Sequence, residues 1–202
     1  MFTKNLARVL LTISFFFSGY SLIAQDEPFT LKKLAKESSD IVIGVPVAMN
    51  SYEKQNGKYV YTDIDILVKK KMKGKLIADD IITLTMYGGK IGDIITYVVG
   101  FPKFSLKMES FFFFKEDQVP IKSSKGLQKV YRIVGLTQGK MDIIEKEGKK
   151  IVVRDFELPL KLDENGKSIS LSKNNSVKVD EMISYITHLT QNHKKSLFFR
   201  IS

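Results

Sequence analysis

From Asp40 onward the period of the sequence changes to the alternation of a strand. Ile41, Ile43, Val45 and Val47 share one face of a first strand, and Pro46 marks that strand as an edge or a bulge. After an Asn56-Gly57 turn, Val60, Thr62, Ile64, Ile66 and Val68 alternate with Tyr59, Tyr61, Asp63, Asp65 and Leu67, the clearest half-buried strand in the chain. A Lys-rich turn around Gly74 leads to a third strand over Asp80 to Tyr87. Gly88, Gly89 and Gly92 then interrupt the pattern, read as a bulge or a barrel corner, before Ile94 to Val99 resumes it. Phe104 to Lys115 forms the next strand, and its run Phe111 to Phe114 predicts burial on both faces. Lys129 to Val134 and Lys140 to Glu145 are expected to close the set as a hairpin around Gly135 to Gly139. Many short strands at turn-punctuated spacing, with no strand-helix alternation, predict an antiparallel barrel or sandwich.

Helical spacing appears only at the two flanks. Thr30 can cap a short helix, LKKLAKESS, that carries Leu31, Leu34 and Ala35 on one side and is expected across the mouth or edge of the barrel. Near the other end, Val179, Ile183, Ile186 and Leu189 line one face of a helix over about residues 179 to 193, with Lys194 and Lys195 suiting its C-terminus. Between them, Phe156, Leu158, Leu160 and Leu162 alternate, and Asn165-Gly166 turns the chain into Ser168 to Leu171 as a second hairpin.

The N-terminus reads as an address. Lys4 and Arg8 precede an uncharged stretch from Val9 that ends near the small residue Ala24, the order of a secretory signal cleaved after Ala24. The alternative is a retained anchor, since the run comes close to the roughly 17 to 25 residues that span a bilayer, but Ser14, Ser18, Gly19 and Tyr20 weaken it. The expected division is therefore a signal over 1–24, a leading helix over 25–39, a β-barrel over 40–147, and a hairpin-helix appendage over 148–202 packed on the barrel.

Composition narrows the chemistry. The 202 residues include no Cys, which removes disulfides, thiolate metal sites, Cys nucleophiles and a lipoprotein anchor together. Lys and Arg number 32 against 22 Asp and Glu. Removing Lys4 and Arg8 with residues 1–24 leaves 30 bases against 22 acids, a net +8. An exported chain without disulfides must take its stability from its core.

The succession DIVIGVPV at Asp40, YTDIDILV at Tyr61, Lys73-Gly74, GGKIG at Gly88, GFPKF at Gly100, the Phe-rich strand from Ser110 and VGLTQGKM at Val134 resembles a widespread type of exported bacterial protein. Its barrel is similar to the OB-like domain of netrin modules and of tissue inhibitors of metalloproteases. The resemblance covers about residues 30 to 145. It implies a mainly β, OB-like antiparallel barrel in an exported context. The inhibitors reach their protease metal through an N-terminal Cys, so that mode is not carried over. In the bacterial sequences a Gly-Glu pair often precedes the Phe-rich strand, where this chain has Lys107-Met108-Glu109 and only Glu109 matches.

No catalytic residue, metal or cofactor is expected. His188 and His193 are five apart, whereas a shared ion needs four. Asp63 and Asp65 share a strand face as paired carboxylates could, but the plainer reading is the wet face of a barrel strand. The segment from Gly135 to Gly139 has the spacing of a nucleophile elbow with Thr137 in place of Ser, and joins two strands. The glycines at 88 to 92 lack a following helix for a phosphate, and Asp163 to Gly166 is too compact for a calcium loop. The feature with most character is Lys69, Lys70, Lys71, Lys73 and Lys75, five bases around one expected hairpin tip beside Tyr59 and Tyr61. Together they form the candidate binding surface, and the expected partner is a protein or an anionic envelope polymer, with membrane-surface contact open and nucleic acid disfavoured by export. The plainer reading is a solvated turn whose lysines guard a sheet edge. The expectation is an exported, non-enzymatic binding protein of periplasm, cell surface or medium. The alternatives are an envelope hydrolase using Asp63, Asp65 or Glu109, and a purely structural envelope protein.

Overall fold

A computed structural model describes residues 30–55, 57–124, 126–154 and 176–198. The expected signal and the hairpin expected after Phe156 lie outside the described residues. Thr30 caps helix α1 (Leu31–Glu37), its hydroxyl accepting the Lys33 amide at 3.1 Å. Strand β1 (Asp40–Lys54) is followed by β2 (Tyr59–Lys73), which pairs with it and with β3 (Ile81–Tyr87). β4 (Gly89–Ile91) and β5 (Ile94–Thr96) form a separate two-stranded flap. β6 (Ser110–Ser123) and β7 (Gly126–Ile133) form a hairpin. They are followed by a 3-10 turn (Leu136–Gly139), β8 (Lys140–Lys146), β9 (Lys149–Val153), β10 (Ser176–Lys178) and helix α2 (Val179–Phe198). The main sheet is antiparallel, in the order β10-β9-β8-β6-β1-β2-β3, with β7 also on β6.

The centre of this sheet is the pairing of β1 with β6, from Asp40 opposite Phe114 to Gly44 opposite Ser110. Both strands are flanked on either side, so both their faces must be covered, and both read as unbroken apolar runs. Phe111 to Phe114 are all fully buried. Because side chains alternate along a strand, Phe111 and Phe113 join Ile41 and Ile43 on one face while Phe112 and Phe114 join Val42 on the other. The first face is roofed by the two helices. Leu31 and Leu34 of α1 and Met182 and Ile186 of α2 pack there with Met141 and Val152. The second face meets Ile64, Ile66, Val68, Ile82 and Leu84, the inner sides of β2 and β3. Phe104, Phe112 and Phe114 stack in series, with ring centroids 6.1 and 5.3 Å apart.

The mainly β, antiparallel expectation holds, and several finer ones change. The sheet is not closed: β7 packs beside β3, but no ladder joins them among the described residues. β7 and β8 do not form a hairpin. Both pair antiparallel with the same strand, Ile133 opposite Phe114 and Lys140 opposite Phe112, so they are one strand position along β6 interrupted by the inserted segment 134–139. A tight glycine-flanked turn reads alike in sequence whether the chain reverses or resumes its direction. The interruption at Gly88 and Gly89 is the root of the flap, not a bulge within a barrel strand. A Cβ on Gly89 would lie 2.2 Å from the Thr62 hydroxyl oxygen. Helix α1 covers the face of β1 and β6, not the mouth, because only there do Leu31 and Leu34 find apolar partners. The sheet runs across the boundary expected at residues 147 and 148, since Glu147-Gly148 is the turn of the β8–β9 hairpin.

Pro46 sits where the reading placed it. β1 has by then left β6, its pairing with β2 slips between Pro46 and Ala48, and Val47 emerges to 44% exposure. Replacing Phe112 by Ala removes the middle ring of the stacked series from a site with no solvent access. Urea unfolding should show a loss of about 3–5 kcal/mol with an unchanged m value. A loss below about 1 kcal/mol would show that the inner face can collapse around the gap.

Candidate functional site

The lysine run connects the paired parts of β2 and β3, but it is not a compact projecting tip. β2 extends through Lys73 because β1 is equally long, and two extra residues, Lys69 and Met72, are accommodated as bulges opposite β1. Lys69, Lys70 and Lys71 are exposed, and they begin just beyond Leu67, where β3 ceases to pair with β2. They line a stretch of β2 that no third strand pairs among the described residues, where charge discourages association with another strand. Lys73 turns inward. Its ammonium donates to the carbonyls of Ala35 and Ser38 at 2.7 and 2.5 Å, closing the C-terminal end of α1. Burial pushes its pKa down, against the charge of Asp40. The buried Asp40 carboxylate in turn accepts the amides of Lys75 and Leu76, at 2.5 and 3.0 Å. Gly74 between them, at φ 95°, has no room for a side chain: a Cβ would overlap the Asp40 carboxylate. Lys75 is exposed, with its ammonium 3.9 Å from Glu116.

Tyr59 and Tyr61 lie at the other end of the same strand. Tyr61 and Lys69 are eight residues apart, about 26 Å of extended chain. The expected surface of lysines beside tyrosines is therefore two separate places. Tyr61 stacks on Tyr52 at 6.2 Å and meets the edge of Tyr87 at 5.4 Å, and Tyr59 meets Tyr87 at 6.0 Å. The ammonium of Lys54 stands 4.4 Å over the Tyr61 ring and that of Lys58 5.3 Å over Tyr59, so the chain's own cations occupy these faces.

Asp63 is not on a wet face. Only 2% of it is exposed, and four donors surround its carboxylate. Tyr52 and Thr85 hydroxyls donate to Oδ1 at 3.1 and 2.7 Å, while the Ser124 amide and hydroxyl donate to Oδ2 at 2.8 and 2.6 Å. Ser124 lies in the β6–β7 turn, so Asp63 clasps that hairpin to β2 and β3. Burial alone would raise its pKa, but the hydrogen bonds from Ser124, Thr85 and Tyr52 outweigh it and hold the carboxyl below its usual range. Tyr52 is pushed up to about 12, first by burial and then by the charge and hydrogen bond of Asp63. A carboxylate with lowered proton affinity and both oxygens occupied is a poor general base. Asp65 accepts from Thr83 at 2.8 Å, and Glu109 pairs with Lys150 at 3.1 Å.

Other charged groups are also committed to structure. Lys140, 4% exposed, contacts the Asp142 carboxylate, which accepts the Ser110 hydroxyl at 2.6 Å. Ser110 is fully buried and offers no accessible nucleophile. Arg154, just past β9, is the exception: burial pushes its pKa down to about 10, and two of its guanidinium nitrogens have no hydrogen-bond partner among the described residues. Among the described residues no three His, Asp or Glu assemble as metal ligands. His188 is exposed on α2.

A concave site of about 450 Å³ opens under the flap between Met49, Thr62, Ile64 and Met86 on one side and Tyr97, Phe101 and Phe104 on the other. The flap is rooted by polar contacts: Thr62 donates to the Gly88 carbonyl at 2.7 Å and shares a hydrogen bond with Ser51 at 2.9 Å. Around the opening, Ile94, Ile95, Tyr97 and Val99 are 67, 69, 64 and 87% exposed. Sequence reading passed over this site because its walls come from four separate segments and its apolar rim alternates like an ordinary strand. No known protein family, curated protein or solved structure matches this chain.

Because the folded pKa of Asp63 lies below its unfolded value of about 3.9, its contribution to stability is complete well above that value and is lost as pH falls through it toward the folded pKa. Urea midpoints across acid pH should fall in this window for the native chain. In Asp63→Asn, which should be less stable at neutral pH by about 1–3 kcal/mol, they should fall less. Parallel acid profiles for the two would show that Asp63 is not the clasp.

Proposed function

We propose that this protein is an exported, non-enzymatic binding module with an OB-like arrangement, and that it works through the apolar opening under the β4–β5 flap. The observation that carries this reading is the combination of a 450 Å³ apolar cleft with an exposed apolar rim, where the buried carboxylates among the described residues, Asp40 and Asp63, are tied to structural donors. The OB-like reading rests on strand order. β3-β2-β1-β6-β7 is a five-stranded path whose two ends lie side by side, and OB barrels present ligands to a strand face and adjoining loops. The lysines at Lys69, Lys70 and Lys71 act as guards of the stretch of β2 beyond its pairing with β3. Export rests on the N-terminal pattern, and intact mass of protein recovered outside the cytoplasm should begin at Gln25.

A neutral apolar reporter, N-phenyl-1-naphthylamine, should bind the purified protein saturably. Its affinity should fall about tenfold or more when Ile95→Glu and Tyr97→Glu place charge in the wall of the cleft. Asp63→Asn and Glu109→Gln should leave it unchanged. Non-saturable binding, or binding indifferent to Ile95 and Tyr97, would sink the cleft as the site.

A further inference from the structure

Aliphatic side chains project from three turns close to the cleft. Hydrogen-bonded turns usually carry Gly, Pro, Asn, Asp or Ser at their centres. Here the turns Val98–Phe101, Ser105–Met108 and Gly135–Gln138 each place a branched aliphatic residue first among their two central positions, Val99, Leu106 and Leu136, with glycine second only in the first, at Gly100. These side chains are 87, 53 and 49% exposed. Leu136 holds a left-handed φ of 53°, which favours glycine, and the half of it that is not exposed lines a hollow with Phe101, Pro102 and Tyr131. The Leu136 and Val99 turns adjoin, the Thr137 amide donating to the Gly100 carbonyl at 3.3 Å. Ile94 and Ile95 on the flap and Met49 at the cleft wall extend the same apolar end. Among the described residues, the other large exposed aliphatic side chains are Val47, Ile77 and Ile81.

Charge is arranged around these tips. Lys90, Lys103 and Lys107 are exposed on the flap and the loop behind it, and Asp93 is the acid at the flap turn. Taking the apolar end as the working surface, we infer that it docks on an anionic lipid bilayer, the aliphatic tips entering the interface while Lys90, Lys103 and Lys107 meet the headgroups. Three features favour lipid over a folded partner: the apolar groups project from turns, they are mostly aliphatic, and long lysine stems can lie along apolar surface while their ammonium groups stay in the polar layer. Protein interfaces are instead centred on aromatic and Arg anchors in packed pockets. Tyr97, amphipathic and 64% exposed beside the aliphatic tips, suits the bilayer boundary. No described helix is long and apolar enough to cross a membrane, so docking is confined to the surface.

The test is sedimentation with phosphatidylcholine vesicles, with and without phosphatidylglycerol, using protein whose N-terminus is fixed by mass. Partitioning should require phosphatidylglycerol, weaken with added salt, and fall about tenfold in both Ile94→Asp/Val99→Asp and Lys103→Glu/Lys107→Glu. All four positions are exposed, and unchanged thermal unfolding should accompany the loss. Naphthylamine binding without partitioning would overturn lipid docking and leave the cleft reading intact, whereas loss of both would overturn both. Equal affinity for monomeric dihexanoyl-phosphatidylglycerol would assign the site to a free lipid and overturn bilayer docking. Partitioning unaffected by the aliphatic pair would also overturn it, and dimerisation abolished by that pair would reassign the face to a second copy.

Discussion

Everything else in this molecule is arranged around the pairing of β1 with β6. Two adjacent strands with both faces buried oblige the chain to supply two cores, and Phe111 to Phe114 deliver a ring to each side in turn. The helices answer one demand and β2 with β3 the other. Neither layer has an independent reason to form, since a seven-residue helix is marginal alone and a lone hairpin barely stable in water. The outer elements therefore take their positions from the centre.

Buried polar groups then fix how the layers join. Asp40 holds the turn after β2, Lys73 closes the end of α1, and Asp63 gathers Tyr52, Thr85 and Ser124 from three elements. A desolvated charge is costly unless fully partnered, so each of these groups permits one arrangement and penalises its neighbours. The same commitment removes them from chemistry. Lys73 illustrates the point: a member of a basic cluster by sequence is a helix cap by structure.

What these commitments leave available is the end of the sheet beneath the flap. There the polar contacts of Thr62 and Ser51 hold a small hairpin over a cleft, and three nearby turns present aliphatic side chains to solvent. Apolar surface left out of two well-filled cores is the part of the molecule with free energy still to gain by burial.

The sequence by itself determined the mainly β character, the burial of the four phenylalanines, the capped leading helix, the amphipathic final helix and the break at Pro46, because each depends on local period or local sterics. It also bounded the chemistry through the absence of Cys. Only the tertiary structure decided that the segments after Gly126 and Gly139 continue one strand position, that the sheet crosses Gly148, and that lysines and tyrosines on one strand stand far apart. Those outcomes depend on which strands pair, and pairing is set by contacts between residues distant along the chain. The same reason hid both the Asp63 clasp, whose partner Ser124 is 61 residues away, and the cleft, whose walls no single segment contains.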